Sequence, residues 1–428
     1  MTPDGTQKGD PRPLEESSAT RLALGKSRYQ MIAQIATSAW GPLWVARSAD
    51  GPEAGRIVSI RRIGRRPPLD PALLRKLATC AFTAMNVRGG NVAAVLDVVV
   101  TGTEVAVVTE YVEGELLRSL QRRIGLGNRP IEVPVALRLA LDLTRAAILA
   151  KEGWRAVTDD DPSLKSALHG GITPDSLLVA TYGEPILFDV GVAGLALSRA
   201  ELSDNPELVP YRAPEHLATS VADERSDVFT LGIVLWELLS NRPLFGSPRW
   251  LRNSTPADAS APSPAEEAAR ARHRVLEMPI PRLDAVVRAG APIDRALATV
   301  VARALERNPA DRPRTLDELE RQLVALGPGR FATTDDVSDV IATIASTSLE
   351  ARRLALASVT GQFPVGEAGR ADQNRPTISP TAPSAEATLR LEELASSPDA
   401  LAALQTARGA KPPPLPPKRR RGSVPDVG

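Results

Sequence analysis

A single cysteine in 428 residues excludes an intramolecular disulfide, so Cys80 points to a reducing, cytoplasmic setting. Histidine is almost as scarce: His169, His216 and His273 are too few for multi-histidine metal sites, and no Cys/His cluster has metal-site spacing. Neither sign of charge dominates, with 52 Lys plus Arg against 51 Asp plus Glu. That balance argues against a chain built mainly to hold nucleic acid or an anionic membrane. No apolar run reaches the roughly 20 residues of a membrane span, and the first thirty residues lack a signal-peptide core. Proline, in contrast, is abundant: 38 residues, well above the usual share of about 5%. So proline-rich a chain is not expected to fold throughout.

Residues 1–27 are polar, carry Pro3, Pro11 and Pro13, and read as a disordered leader. From Tyr29 to Glu110 short β-rich runs dominate (32–35, 43–47, 57–63, 93–100 and 104–109), separated by turns such as Asp50-Gly51 and Thr101-Gly102. One helix interrupts them from Asp70, a suitable N-cap, to about Asn86, with Pro71 in its first turn. Beyond Glu110 helical spacing takes over. Pro134 to Lys151 is apolar over so much of its circumference that it predicts a buried helix, and 227–239 and 292–306 predict two more. Residues 246–266 read as a loop, as does an insertion from Lys151 to Ala167. Phe331 to Val359 predicts one or two short helices, with Val337, Val340, Ile341 and Ile344 on one face and Leu349, Leu354 and Leu356 on another. The expected architecture is α+β: a small antiparallel-sheet lobe (28–109), a larger helical lobe (110–328), a helical extension (329–359) and a disordered Pro-rich, basic tail (360–428).

Six segments, in order, carry the chemical signal. They are Val107-Val-Thr-Glu-Tyr-Val-Glu-Gly114; His169-Gly-Gly-Ile-Thr-Pro-Asp-Ser-Leu-Leu-Val179; and Ile186-Leu-Phe-Asp-Val-Gly-Val-Ala193. Pro210-Tyr-Arg-Ala-Pro-Glu215, Ser226-Asp-Val-Phe-Thr-Leu-Gly-Ile-Val-Leu-Trp-Glu237 and Ala304-Leu-Glu-Arg-Asn-Pro-Ala-Asp-Arg-Pro313 follow. Together they resemble a protein kinase of the bacterial serine/threonine type, from about Tyr29 to Leu326. The resemblance implies a two-lobed fold whose hinge (Thr109, Glu110, Val112) faces adenine. It also implies a catalytic loop at 169–179, a metal-binding aspartate at Asp189, and structural roles for Glu215, Asp227 and Arg312. Glu215 and Arg312 are expected to pair, and Asp227 to accept backbone N–H groups of the catalytic loop.

Against that pattern the reactive positions are altered. Gly171 stands where the family has the aspartate that orients the substrate hydroxyl, Thr173 where it has the phosphate-steadying lysine, and Ser176 where it has the metal-binding asparagine. Gly170 replaces the arginine that reads a phosphorylated activation loop, so phosphates on Ser198 or Ser203 would lack their usual receptor. In Ile35-Ala-Thr-Ser-Ala-Trp-Gly-Pro-Leu-Trp-Val45, Ala36 and Ser38 replace phosphate-loop glycines and only Gly41 remains. Arg61 occupies the position of the phosphate-binding lysine, and no acid between Asp70 and Asp97 can partner it. Arg61 is therefore expected to turn toward Asp189. No residue from Gly170 to Ser176 is credited with replacing the missing base, and Asp159-Asp-Asp161 reads as solvated loop.

The expected function is that of a pseudokinase: a scaffold or regulatory binding module in signalling, with at most weak binding of ATP and magnesium through Gly41, Arg61, Thr109, Glu110, Val112 and Asp189. The alternatives are a weakly active or atypical ATP-dependent serine/threonine kinase, and a protein that binds ATP without turning it over. Protein partners are expected, with an SH3-like domain suited to Pro412-Pro-Pro-Leu-Pro-Pro417, for which a stiff linker end is an equal alternative. Lys418-Arg-Arg-Arg421 gives only weak, salt-sensitive attachment to anions, so stable nucleic-acid binding is not expected.

Overall fold

Short β-rich runs build the first sheet, whose successive side chains point to opposite faces. In a computed structural model, which describes residues 29–49, 53–64, 71–87, 89–100, 104–127, 131–158, 171–192, 205–219, 222–246, 262–286 and 293–360, five antiparallel strands form that sheet. They are β1 (Tyr29–Ser38), β2 (Gly41–Ser48), β3 (Ile57–Gly64), β4 (Val95–Val100) and β5 (Glu104–Glu110), in the order β1-β2-β3-β5-β4. The interior strand β5 is buried on both faces. Val105 and Val107 meet α1 (Pro71–Ala84) through Leu74, Leu77 and Cys80, while Ala106 and Val108 join Met31, Val58 and Ile60 on the opposite side.

After β5 the chain passes through Tyr111–Glu113 into a second, three-stranded sheet, β6 (Gly114–Leu116), β7 (Leu177–Ala180) and β8 (Pro185–Leu187). Helices make up the rest of this lobe: α2 (Leu117–Gly127), α3 (Val133–Thr158), α4 (Pro214–Thr219), α5 (Glu224–Ser240), α6 (Pro264–Leu276), α7 (Arg295–Ala304) and α8 (Leu316–Val324). Two further helices, α9 (Thr334–Ile344) and α10 (Ser346–Thr360), complete the described chain. The expected α+β organisation of sheet lobe followed by helical lobe is what forms. The core runs through α3 and α5, every residue of α5 from Ser226 to Ser240 being buried.

Three expectations need correction. The helix expected to end at Lys151 continues to Thr158, because Trp154, packed in the core, extends its apolar face. Residues 264–266, read as loop, open helix α6: Ser263 accepts from the Glu266 N–H while Glu266 accepts from the Ser263 N–H, a capping box that starts a helix despite the surrounding prolines. Leu354, placed with Leu349 and Leu356 on one face of α10, is exposed, whereas those two are buried. The N-cap Asp70, the acidic run 159–161, Ser198, Ser203, the 1–27 leader and the tail motifs lie outside the described residues.

Candidate functional site

Arg61 lies on β3, directly opposite Leu43 of β2 and Val107 of β5, so its guanidinium leaves the sheet from a central position and is only 2% exposed. All five of its N–H groups are used. Nε and Nη2 donate to the two carboxylate oxygens of Asp189 (3.2 and 2.9 Å), and Nη2 also reaches the Asp175 carbonyl (3.2 Å). Nη1 donates to the Ser38 hydroxyl and the Gly41 carbonyl, both at 3.2 Å. A guanidinium has five donors and no acceptor, so this one is saturated. The Arg61–Asp189 contact expected from the missing acid on α1 is present.

Asp189 is held from below. Its backbone is in the left-handed region (φ 64°), which aspartate tolerates better than most residues. Gly191, two residues on, has φ 76°, and a Cβ there would lie 2.1 Å from the Trp154 ring. Glycine is required for that approach. The extended end of α3 thus fixes the turn bearing Asp189.

The β1–β2 turn folds inward. Trp40, at its tip, is 2% exposed, and the Arg212 guanidinium lies 5.8 Å from its ring centroid. The small-lobe turn is therefore bound to the Pro210–Glu215 segment, a contact that sequence reading missed. Its only sequence signal was a tryptophan where the family's turn carries small residues.

Ser176 spends its hydroxyl locally: it accepts from the Thr173 N–H (3.0 Å) and donates to the Thr173 carbonyl (3.0 Å). Thr173 accepts from the Asp175 N–H (3.3 Å). Gly171 is buried, while its neighbours His169 and Gly170 lie outside the described residues. Asp175, an acid inside this loop that the sequence reading passed over, accepts from Arg118 Nε (3.1 Å) and Nη2 (2.9 Å). Arg118 also donates to the Tyr211 hydroxyl (3.0 Å), which in turn donates to Glu237 (2.8 Å). Burial works against the Arg118 charge, yet Asp175, Tyr211 and Glu237 together hold its pKa above the ordinary range. Burial pushes the Glu237 carboxyl up, opposed by the Leu244 N–H and Arg118.

The hinge residues are closed on themselves. Thr109 donates to the Ser59 carbonyl (3.5 Å), and the Glu110 carboxylate accepts the Ala94 N–H (3.2 Å). Val112 joins Leu43, Leu178 and Phe188 in one buried apolar cluster, with Leu43 and Leu178 each 1% exposed. An open slot for a flat base between these residues would leave them accessible.

Away from the cleft, Arg312 is fully buried and also spends all five donors. Nη1 and Nη2 bind the two oxygens of Glu215 (2.8 Å each), and the rest go to the carbonyls of Glu306, Arg225 and Arg307. The expected pair is formed. Asp227 is buried, and part of the loop expected to donate to it lies outside the described residues.

His216, beside Glu215, supplies a pH test. Burial, reinforced by the Arg212 charge, lowers its pKa from 6.5 to about 4. An imidazole that binds its proton less readily when folded favours unfolding on acidification. Stability should fall as pH drops from about 6.5 toward 4. His216→Gln should flatten that part of the profile in urea titrations at stepped pH; an unchanged slope would remove His216 as the cause.

Among the described residues no group of three or more His, Cys, Asp or Glu could hold a metal ion, and no helix is long and apolar enough to cross a membrane. Residues 71–249 match the protein tyrosine and serine/threonine kinase family. Among curated relatives, the serine/threonine-protein kinase PkaA of Streptomyces coelicolor is 29% identical over 326 residues, covering 73% of this chain and 52% of its own. The tyrosine-protein kinase MasK of Myxococcus xanthus is 24% identical over 235 residues (54% and 35%), and the serine/threonine-protein kinase PknL of Mycobacterium tuberculosis 27% over 294 (68% and 63%). The chain thus spans about half the length of the curated relatives it matches. The sheet lobe and helical lobe, with the ordered motifs on them, form a kinase-like two-lobed α+β fold that is similar, over residues 71–249, to the protein kinase family, with bacterial serine/threonine kinases among the similar proteins.

Proposed function

We propose that this domain is a pseudokinase: a kinase fold used as a scaffold or regulatory binding module in signalling rather than for phosphoryl transfer. The observation that carries the reading is the saturated Arg61, which takes both oxygens of Asp189. Phosphoryl transfer needs a metal-binding carboxylate, an oriented hydroxyl and charge on the phosphates. Here the carboxylate is neutralised, and Gly171, Thr173 and Ser176 offer no base, cation or amide oxygen. The residues of the cleft do not fit a magnesium nucleotide: Arg61 stands where its metal would bind, and Leu43, Val112 and Leu178 close the place of its base. Residues 28–109 and 110–328 are assigned as the two lobes, and 329–359 as an extension.

A weakly active kinase is the second reading, and Asp175 favours it as an acid within the catalytic loop. Arg118 engages that carboxylate through two N–H groups, so it is already committed to an ion pair. The two readings part in one experiment. Full-length protein with magnesium or manganese ATP should show no thermal shift, and should label neither itself nor generic substrates above an Asp189→Ala control. Labelling that disappears in that control would establish the kinase reading instead.

A further inference from the structure

The helix pair that follows the kinase-like lobes touches both of them. α9 is rooted in the helical lobe: Val337 and Ile341 are buried in its core, and the Ser338 hydroxyl donates to the Thr181 carbonyl (2.6 Å). The Gly183 backbone comes so close that a Cβ there would lie 1.9 Å from the Thr334 carbonyl oxygen. α10 then crosses behind the hinge. Arg352, 8% exposed, donates from Nη1 to the Gly114 carbonyl (2.7 Å) and from Nη2 to the buried Glu115 carboxylate (2.8 Å). Arg353 binds both oxygens of Glu113 (2.6 and 2.9 Å). At its far end α10 packs on β1, and the Val359 carbonyl accepts from Arg47 of β2 (3.3 Å).

A helix of 15 residues is about 22 Å long. Its hydrogen bonds are internal, so it bends reluctantly. Such a rod, rooted in one lobe, bonded to the connector at Glu113–Glu115 and seated on the sheet of the other, opposes any rotation of the lobes about Tyr111–Glu113. A second link between the lobes lies elsewhere, where Val92 bridges to Leu187 and the Ala93 N–H donates to the Leu187 carbonyl (2.9 Å). The cleft contacts also span the lobes: Arg61 with Asp189, and Trp40 with Arg212, each have one partner on either side. Their survival depends on the lobe angle.

We propose that α9–α10 is a brace that sets this angle and thereby holds the cleft contacts shut, so that loosening α10 from the hinge opens the cleft at a distance. The proposal goes beyond the pseudokinase reading and holds whether or not the cleft carries out chemistry. Its energetic content is that local opening of the β1–β2 turn is coupled to the contacts that α10 makes with the hinge.

Amide hydrogen exchange on the full chain tests it. Arg352→Gln and Arg353→Glu should each speed exchange in Ser38–Gly41 and Phe188–Val192, by about tenfold for the buried Arg352, while the core of α5 keeps its rate. The charge swap Glu113→Arg/Arg353→Glu should restore slow exchange in the cleft. Faster exchange confined to α10 and the hinge, with the cleft segments unchanged, would overturn the brace. So would a swap that restores the hinge but not the cleft. Should Arg352→Gln lose its cooperative unfolding transition, the half-exposed Arg353 and its swap decide the question alone.

Discussion

Glu215→Ala is expected to lower the unfolding free energy by about 3–5 kcal/mol, the range typical of stripping one partner from a buried ion pair. Glu215 is the more informative side to remove. Its own side chain is 21% exposed, whereas that of Arg312 has no accessible surface and cannot carry its charge to water. Three backbone carbonyls would still face Arg312, but they bear no net charge. Burial by itself would raise the Glu215 pKa; the bonds from Arg312 and Ser226 outweigh it and leave the carboxyl below its ordinary value. The stabilisation is therefore present above the ordinary carboxylate range and lost as acid protonates the folded form. Urea titration near neutral pH measures the loss, and Glu215→Gln should recover part of it. A loss below about 1 kcal/mol, the level of an exposed pair, would mean that the pair does not anchor the helical lobe.

The second large effect is expected at Arg61 and Asp189, and it is a coupling rather than a single loss. Arg61→Met should leave Asp189 buried without a counter-charge, and Asp189→Leu should do the same to Arg61, at about 3–5 kcal/mol each. The double variant should be more stable than either single one, because two apolar side chains can fill the space without an unpaired charge. The cycle is read from denaturation midpoints of four proteins. Simply additive losses would show that the guanidinium and carboxylate are not interdependent. Arg61→Ala should also leave magnesium-dependent ATP affinity no weaker than before; affinity lost on that change would assign the arginine to the phosphates.

The large-scale plan was legible because its signals are local and repeated. Short β-rich runs at 57–63 and 104–109 read as strands, and dense apolar spacing in 134–151 as a buried helix. Both buried arginine pairs were legible for a different reason: a charge that alignment places in a core must find its opposite. What was missed depended on contacts between segments far apart in sequence. Nothing near Trp40 says that its ring will meet Arg212, 172 positions later, rather than face water. Helix α6 has only Ala268, Ala271 and Val275 to bury, too narrow a stripe to stand out from a Pro-rich surrounding. Leu354 shows the reverse error, an apolar residue at plausible spacing that the packing leaves outside. Asp175 was overlooked because attention to family positions treats the residues between them as filler.

The five bonds of Arg61 also bear on how such a domain could change over evolutionary time. On the proposed reading, putting aspartate, lysine and asparagine back at 171, 173 and 176 would restore the lettering of the catalytic loop but not a usable metal ligand. Asp189 would remain neutralised by Arg61, and converting Arg61 to lysine would strand a buried Asp189 with fewer donors and no acid on α1 to align the new amine. The step at Arg61 passes through a less stable protein before any activity could be selected. The arginine thus acts as a ratchet: once its partners had settled around it, drift could alter the loop freely, while the route back required several changes at once.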